Sequence, residues 1–340
     1  MAKVGNNAKT VAVMMTMSRG RKRTSLLPWV ALCTVYLVWG STYLAIRVVV
    51  REMPPFAAAG LRFAAAGAVM SALAAWKDGA WPSGKQLRDY AFIGVLLLGI
   101  GNGLVMWAEQ QIPSGIAALL VATVPLFMTF FDRFREGGEP WTFRVWAGTL
   151  LGLAGVVLVA RPEGDAGFSH WGGIVALQIA TLSWALGSLW SQATPRRLPV
   201  FTAAAVEMLA GALALAVESP LAGESLSQVR GASLGAWAAL SYLVIFGSLL
   251  AFTAFAYCLH ELPASTVGTY AYVNPVVAVA LGAALLGEPL PWSLLAGAVL
   301  ILAAVLLTTL KRGRTKRPRE EATGSDEDAP LAARPSRQEG

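Results

Sequence analysis

The chain has 340 residues, of which 56% are hydrophobic and 14% are charged, whereas a soluble domain carries about 25% charged residues. This composition excludes an ordinary water-soluble globule, and the high apolar fraction with only two cysteines excludes disordered and disulfide-rich chains. The net charge of +7 comes from the tails, because residues 1–26 and 311–340 contain 14 of the 27 Lys and Arg but only 6 of the 20 Asp and Glu. The segment between the tails has no basic surplus, so we expect no nucleic-acid partner.

Apolar segments of spanning length follow one another between charged residues and prolines. A helix needs about 20 apolar residues to cross a bilayer, and helices are expected because lipid offers no partners for unpaired backbone groups. The sequence therefore predicts an all-α polytopic membrane protein with ten transmembrane helices. These lie near residues 28–50, 55–76, 89–109, 113–132, 141–160, 171–191, 199–217, 236–259, 264–286 and 290–310.

Lys and Arg are concentrated on alternate sides of the predicted helices. One side, which includes both tails, collects 22 of them and the other side collects 4, while Arg62 falls within a span. Because cytoplasmic loops are enriched in Lys and Arg, we predict that both termini are cytoplasmic in a bacterial-type inner membrane. Residues 1–27 then form a basic cytoplasmic tail, and residues 311–340 form a disordered cytoplasmic tail.

The chain contains an internal repeat at offsets of 145 to 150 residues. Each unit, 28–160 and 171–310, has five predicted helices, and because five is odd the second unit enters the membrane upside down relative to the first. Inverted repeats are typical of carriers whose central site opens to either side in turn. The matched pairs include Trp39 with Trp184, Arg51 with Arg196, Pro54 with Pro199, Pro113 with Pro263, and Pro125 with Pro275.

Short motifs in both halves resemble those of a known family. They are W-G-S-T-Y-L-A-I-R at 39–47, P-P at 54–55, R-F at 62–63, P-S-G-I-A-A at 113–118, P-A-S at 263–265, N-P-V-V at 274–277 and G-E at 287–288. Together they resemble the EamA-type transporters of the drug/metabolite transporter superfamily over about residues 28–310. The resemblance implies a ten-helix carrier of two EamA repeats that moves small metabolites, usually outward. It also implies a central cavity lined mainly by the first, third, fourth, sixth, eighth and ninth helices.

Ionisable side chains within the spans are functional candidates, because a charge there costs at least about 2.5 kcal/mol unless it is paired or faces water. Arg62 and Glu207 each lie eight residues after an opening proline, about 12 Å inside from opposite faces of a core about 30 Å thick. Only about 6 Å of depth separates them on this estimate, so we expect an ion pair that either ties the halves together or handles substrate or protons. Glu109 lies at the end of the third span. We expect it either to cap the helix at the water boundary or to act as a proton-coupling carboxylate. Glu139 and Glu288 precede prolines and are predicted to be structural residues at helix starts.

Polar and aromatic residues in several spans are candidates to face a ligand. The alternative is that the hydroxyls bond back to their own helix and that the aromatic residues belong to interfacial belts. Pro125 and Pro275 lie deep in their helices and predict helix breaks, which often mark where a transporter binds or bends. The candidate cavity residues are Trp39, Ser41, Thr42, Tyr43, Asn102, Thr123, Ser183, Trp184, Ser188, Trp190, Tyr270, Tyr272 and Asn274.

Signals of enzymatic chemistry are weak in this sequence. The segment 79–85 partly matches the sequence motif of a phosphate-binding loop, but Gln86 replaces the Ser or Thr that would hold magnesium. The two histidines, His170 and His260, lie at span ends without further residues at metal-ligand spacing, so we expect no metal and no cofactor. A membrane-embedded enzyme or a sensor is therefore the less favoured class.

The sequence thus predicts a secondary carrier that exports a small metabolite, amino-acid-like or drug-like, by alternating access. Its expected partners are a small-molecule solute and the lipid bilayer. Uptake or exchange through the same fold stays an alternative, because nothing in the sequence fixes the direction of transport. The oligomeric state is open, although a complete inverted pair within one chain makes a monomer sufficient.

Overall fold

The computed structural model describes residues 26–79, 81–134, 142–160, 168–194, 197–262, 264–267 and 269–309, and every regular element in these ranges is helical. Two short helices, Leu226–Arg230 and Ala264–Val267, connect longer ones. The longer helices are α1 (Leu27–Val50), α2 (Pro55–Lys77), α3 (Gly84–Ala108), α4 (Ser114–Asp132), α5 (Phe143–Val159), α6 (Phe168–Ala193), α7 (Val200–Leu221), α8 (Leu234–Tyr242, Leu243–Leu250 and Ala251–Glu261), α9 (Tyr270–Leu286) and α10 (Trp292–Thr309).

Seven of the described helices, α1 to α4 and α6 to α8, are long and apolar enough to cross a membrane. The helices α5, α9 and α10 are shorter apolar helices. Large apolar side chains such as Leu150, Leu213 and Val299 are more than 60% exposed, which suits a surface covered by lipid. The prediction of an all-α polytopic membrane protein is confirmed, whereas the count of ten spans stays a prediction. The predicted tails lie outside the described residues, apart from residues 26 and 27.

The helices α2 and α7 pack against each other in antiparallel directions. A Cβ atom added to Gly60 would lie 3.5 Å from the Cβ of Leu215, and one added to Gly67 would lie 3.2 Å from the backbone nitrogen of Leu209. Small residues let helix backbones approach closely within a membrane. Because the repeat matches α2 with α7, this contact joins the two halves of the chain.

Carboxylates of opposite halves cap the two ends of the α2–α7 pair. Asp78, directly after α2, accepts hydrogen bonds from the backbone nitrogen and Oγ1 of Thr202 in the first turn of α7, both at 2.8 Å. Glu224, which follows α7, accepts hydrogen bonds from the backbone nitrogens of Phe56 and Ala57 in the first turn of α2, at 3.0 and 2.8 Å. An acidic group at a helix N-terminus satisfies free N–H groups and interacts favourably with the helix dipole. This exchange of caps is the relation that an inverted repeat predicts.

Two further carboxylates cap helices to which they do not belong. Glu52 accepts hydrogen bonds from the backbone nitrogen and hydroxyl of Ser233, at 2.7 and 2.8 Å, just before α8, and these bonds hold the pKa of Glu52 below its usual value. Glu288 accepts hydrogen bonds from the backbone nitrogens of Ser114 and Gly115 and from the Ser114 hydroxyl, at 2.8 to 3.2 Å, so it caps α4.

The prediction that Glu288 is a structural residue at a helix start is confirmed, but the helix is α4 and not the one that follows Glu288 in sequence. The chain leaves α9 at Gly287, whose φ of +66° is left-handed, and this turn brings the next residue over the N-terminus of α4 instead. A left-handed residue after the last helical turn is a common way to end a helix, and glycine adopts it without steric cost. Glu139, for which the same role was predicted, lies outside the described residues.

Candidate functional site

A cavity of about 120 Å³ lies between helices of both halves. Helices α1, α2, α3 and α4 of the first half and α6 and α9 of the second half line it. Within the described part of the chain α2 contributes a lining residue and α8 does not, unlike the set of helices that the resemblance implied. The predicted residues that line the cavity are Trp39, Thr42, Tyr43, Arg62, Asn102, Pro125, Trp184, Tyr270, Asn274 and Pro275.

The other predicted residues lie outside this lining. The Ser41 hydroxyl donates to the carbonyl oxygen of Val38 at 2.8 Å and lies 2.6 Å from the Tyr242 hydroxyl. The Thr123 hydroxyl donates to the carbonyl oxygen of Leu120 at 2.6 Å, so it bonds back to the preceding turn. The remaining residues outside the lining are Glu109, Ser183, Ser188, Trp190, Glu207 and Tyr272.

Two tryptophans that the repeat matches stand in the cavity wall. The indole Nε1 of Trp39 donates to the carbonyl oxygen of Gly247 in α8 at 3.2 Å, and its ring packs edge-to-face against Tyr270 with centroids 5.2 Å apart. Trp184 packs directly on Gly101, where an added Cβ would lie 2.4 Å from the indole Cδ1. Each tryptophan of one half therefore rests on backbone of the other half.

Arg62 occupies the wall of the cavity and is only 5% exposed. Its Nε donates to the Ser248 hydroxyl in α8 at 2.9 Å, and its Nη1 donates to Oδ1 of Asn102 in α3 at 3.3 Å. The guanidinium also lies over the Phe63 ring, 4.8 Å from its centroid. These contacts hold the cation at the junction of α2, α3 and α8.

The ion pair expected between Arg62 and Glu207 is not formed. Among the described residues the ion pair is between Arg88 and Asp89, and Arg62 bonds to neutral partners instead. The packing of α2 on α7 explains the difference, because Gly60 lies beside Leu215 and Gly67 beside Leu209. In this register Arg62 and Glu207 are about six residues, or about 9 Å, apart along the helix axes. Glu207 is buried at a close contact with α3, where an added Cβ on Gly94 would lie 2.2 Å from its carbonyl oxygen.

π-helical segments occupy matched positions in α3 and α8, a feature that the sequence did not reveal. They are Val95–Asn102 and Leu243–Leu250, and they lie 148 residues apart. Such segments are rare and often occur at functional sites. Arg62 joins them, because Asn102 ends the first segment and Ser248 lies in the second. The π-helical segments therefore position the polar partners of the buried cation.

The two prolines in the lining have different effects on their helices. The helix α4 is interrupted at Ala122 and Thr123, so that its second part begins at Val124, one residue before Pro125. The break predicted at Pro275 is absent, because α9 continues through it. Neighbouring polar groups can re-satisfy the backbone around a proline in a membrane helix.

Asn274, next to Pro275, adds hydrogen bonds to backbone carbonyls other than the one that this proline frees. In the amide orientation that satisfies both contacts, its nitrogen donates to the carbonyl oxygens of Tyr36 and Tyr270, each at 3.2 Å. A proline cannot donate to the carbonyl four residues earlier, and for Pro125 and Pro275 those carbonyls belong to Val121 and Ala271, which both line the cavity.

Glu109 is completely buried where α3 ends, so the hypothesis that it caps the helix at the water boundary is wrong. Within the described residues neither of its carboxylate oxygens has a hydrogen-bond partner. Arg47 of α1 donates from Nη1 to the backbone carbonyl oxygen of Glu109 rather than to its carboxylate. A proton-coupling role for Glu109 stays a prediction.

The described residues define an all-helical, multi-pass membrane protein with a cavity between two matched sets of helices. The chain belongs to the EamA-like transporter family, whose model matches residues 27–161 and 171–310. This family is of the drug/metabolite transporter type that the motifs resemble.

Several proteins of known sequence or structure are similar to the chain over most of its length. The uncharacterized inner membrane transporter YedA of Escherichia coli K12 is 42% identical over 283 residues, which are 82% of this chain and 89% of the relative. The uncharacterized transporter YvbV of Bacillus subtilis is 26% identical over 91% of this chain and 98% of the relative. A solved crystal structure shares the fold with a TM-score of 0.60 and 24% identity, covering 83% of this chain and 96% of that one.

Proposed function

We propose that the protein is a secondary transporter that exports a small metabolite across the bacterial inner membrane by alternating access, with both termini in the cytoplasm. Membership of a transporter family and similarity to an inner membrane transporter support this proposal. The excess of Lys and Arg on the side of both tails supports the orientation.

The observation that carries the proposal is the cavity between the two halves. Its wall contains matched residues of both repeats, Trp39 with Trp184 and Pro125 with Pro275. A binding site at the interface of inverted repeats can open to either side when one half rocks against the other. Each half rests on the backbone of the other at these tryptophans, so a movement of either half changes the cavity.

A comparison of small molecules inside cells and in the medium tests the export activity. We would compare cells that overproduce the intact protein with cells that produce the variant Ala118→Trp. Ala118 is 1% exposed and lines the cavity, so a tryptophan there fills the space in which a solute would bind. The control is Ala64→Trp, on the exposed face of α2.

The expected result is a compound that accumulates outside only with the intact protein and the Ala64→Trp control. Accumulation inside would identify uptake through the same cavity. Identical profiles for intact and Ala118→Trp proteins, both inserted in the membrane, would contradict a transport role for this cavity.

Access from both sides tests the mechanism and the orientation. In a background with Cys33→Ser and Cys258→Ser, a cysteine introduced as Ala122→Cys lies in the cavity wall. We expect a membrane-impermeant maleimide to label it both in intact cells and in inverted vesicles. Labelling from one side alone would contradict alternating access, and a C-terminal tag detected in intact cells would contradict the orientation.

A further inference from the structure

Among the described residues that line the cavity, Arg62 is the one that carries a charge. Arg62 lies in the spanning helix α2, is 5% exposed and lines the cavity. Its hydrogen-bond partners, the Ser248 hydroxyl and the Asn102 amide oxygen, are neutral. The ring of Phe63 beneath it is also uncharged.

Neutral partners satisfy hydrogen-bond donors without neutralising the charge. Within the described residues no carboxylate lies within ion-pair distance of Arg62, since the ion pair found there is Arg88 with Asp89. A guanidinium carries five N–H donors in a planar fork, and the bonds above occupy one on Nε and one on Nη1. The remaining donors and the positive charge are therefore available to a ligand, and a guanidinium fork matches the geometry of a carboxylate.

The rest of the wall near Arg62 is aromatic and apolar. Trp39, Trp184 and Tyr270 present rings to the cavity, and Ile46 and Val105 present aliphatic side chains. The volume of about 120 Å³ is below that of apolar cavities of about 150 Å³ that hold a benzene ring, so the cavity suits a body smaller than a benzene ring.

We infer that this cavity binds a small organic carboxylate, with the anionic group on Arg62 and the apolar body against Trp39 and Trp184. The inference rests on the proposed function, since it names the substrate class of the same cavity. A carboxylate ligand supplies the negative charge that is missing beside Arg62. The aromatic and aliphatic wall favours a ligand with a planar or aliphatic apolar body over a ligand with a polar, hydrated body. Matched anionic and neutral probes of the same shape can separate this chemistry from simple apolar binding.

The test is equilibrium binding of radiolabelled propionate, which is smaller than a benzene ring, to the purified full-length protein in detergent, with competition by unlabelled propionate or propionamide. Charge-assisted hydrogen bonds are stronger than neutral ones, so propionate should compete at a concentration at least about tenfold lower than propionamide. Equal competition by the two compounds, or no saturable binding of propionate, would overturn the inference.

Two variants assign the preference to Arg62. In Arg62→Gln the anionic and the neutral compound should compete at about the same concentration. The control Arg51→Gln changes an exposed position after α1 and should leave the preference for the anionic compound unchanged. Asn102→Asp should also abolish the preference, because it places a carboxylate beside Nη1 and gives the cation an internal partner. If Arg62→Gln does not yield folded protein, Asn102→Asp decides the result. A preference that survives in a folded variant of either kind would overturn the inference.

The failure of this inference is distinct from the failure of the proposed function. If the intact protein changes the extracellular metabolite profile but the exported compounds are neutral or cationic, the protein is a transporter and the carboxylate inference is wrong. If the profile does not change while propionate binds through Arg62, the cavity is an anion site and the transport proposal is wrong.

Discussion

The ends and the centre of the α2–α7 pair differ in how closely the two halves match. At the ends, Asp78 and Glu224 accept backbone hydrogen bonds from the opposite half at 2.8 to 3.0 Å. At the centre, equivalent positions hold Arg62, which lines the cavity, and Glu207, which lies outside the lining against α3. The ends of α2 and α7 are therefore related by the symmetry of the repeat. At the centre the symmetry is broken, because Arg62 gives the cavity a positive charge and Glu207 does not reach it. Symmetry therefore describes the scaffold, and the carboxylate site that we infer lies where the two halves differ.

The largest loss of stability is expected from a methyl group added where α3 contacts α7. In Gly94→Ala the new Cβ would lie 2.2 Å from the carbonyl oxygen of Glu207, and backbone cannot move aside as a flexible side chain can. Overpacking of this kind costs about 1–3 kcal/mol or more, so we expect a large fall in the thermal unfolding midpoint in detergent. The control Gly84→Ala, in the same helix, meets no atom within 4 Å. Equal midpoints for the two variants would show that α3 and α7 do not touch here.

Removal of the exchanged caps should have a smaller effect that is similar at both ends. Asp78→Ala and Glu224→Ala each leave N–H groups of a first helical turn without their acceptor, a loss of about 0.5–2 kcal/mol. Thermal unfolding of the purified variants measures both losses, with Glu261→Ala at an exposed position as the control. If one cap variant matched wild type and the other did not, the ends would not be equivalent.

The two matched tryptophans should differ by about one hydrogen bond. Trp39→Phe removes the bond to the carbonyl oxygen of Gly247, whereas the Trp184 indole nitrogen makes no hydrogen bond within the described residues. We expect Trp39→Phe to lower stability by about 0.5–1.5 kcal/mol more than Trp184→Phe. Thermal unfolding of the two variants side by side measures this difference, and an equal loss would mean that packing alone holds both rings.

The smallest effect is expected at the exposed cap of α8. The hydrogen bonds from Ser233 lower the pKa of Glu52 in the folded protein, so its stabilising contribution is complete above the usual glutamate pKa of about 4.3 and is lost as the pH falls below it. Glu52→Gln should therefore lower the unfolding midpoint slightly at neutral pH. The difference from wild type should shrink below about pH 4, and a difference that grows on acidification would contradict this linkage.

Much of the cavity could be predicted because the repeat singles out residues that occur twice. Trp39 and Trp184 are matched by a fixed offset, and both line the cavity. The ion pair of Arg62 with Glu207 was predicted wrongly. The prediction counted the depth of each residue in the membrane from the start of its own helix, and this estimate ignores the register in which α2 and α7 pack. That register depends on Gly60 and Gly67 opposite residues about 150 positions away, and no single segment encodes it.

Other features depend on contacts that the sequence does not display. The apolar composition of the π-helical segments Val95–Asn102 and Leu243–Leu250 does not reveal them, because helices such as α10 and the first part of α4 are apolar too. The carboxylates that cap α2 and α7 act on residues more than 120 positions away. Glu109 lies next to polar residues in sequence, which suggested a water boundary, yet the folded helices bury it fully.

The exchanged caps also constrain how the protein is made. The backbone nitrogens at the start of α2 receive their acceptor from Glu224, which is synthesised 168 residues after Phe56. Because a ribosome adds about 5–20 residues per second, the first half waits on the order of ten seconds or more before this end of α2 can be completed. During biogenesis, the first five helices therefore depend on the insertion machinery or on water at the membrane surface to satisfy groups that the second half later covers.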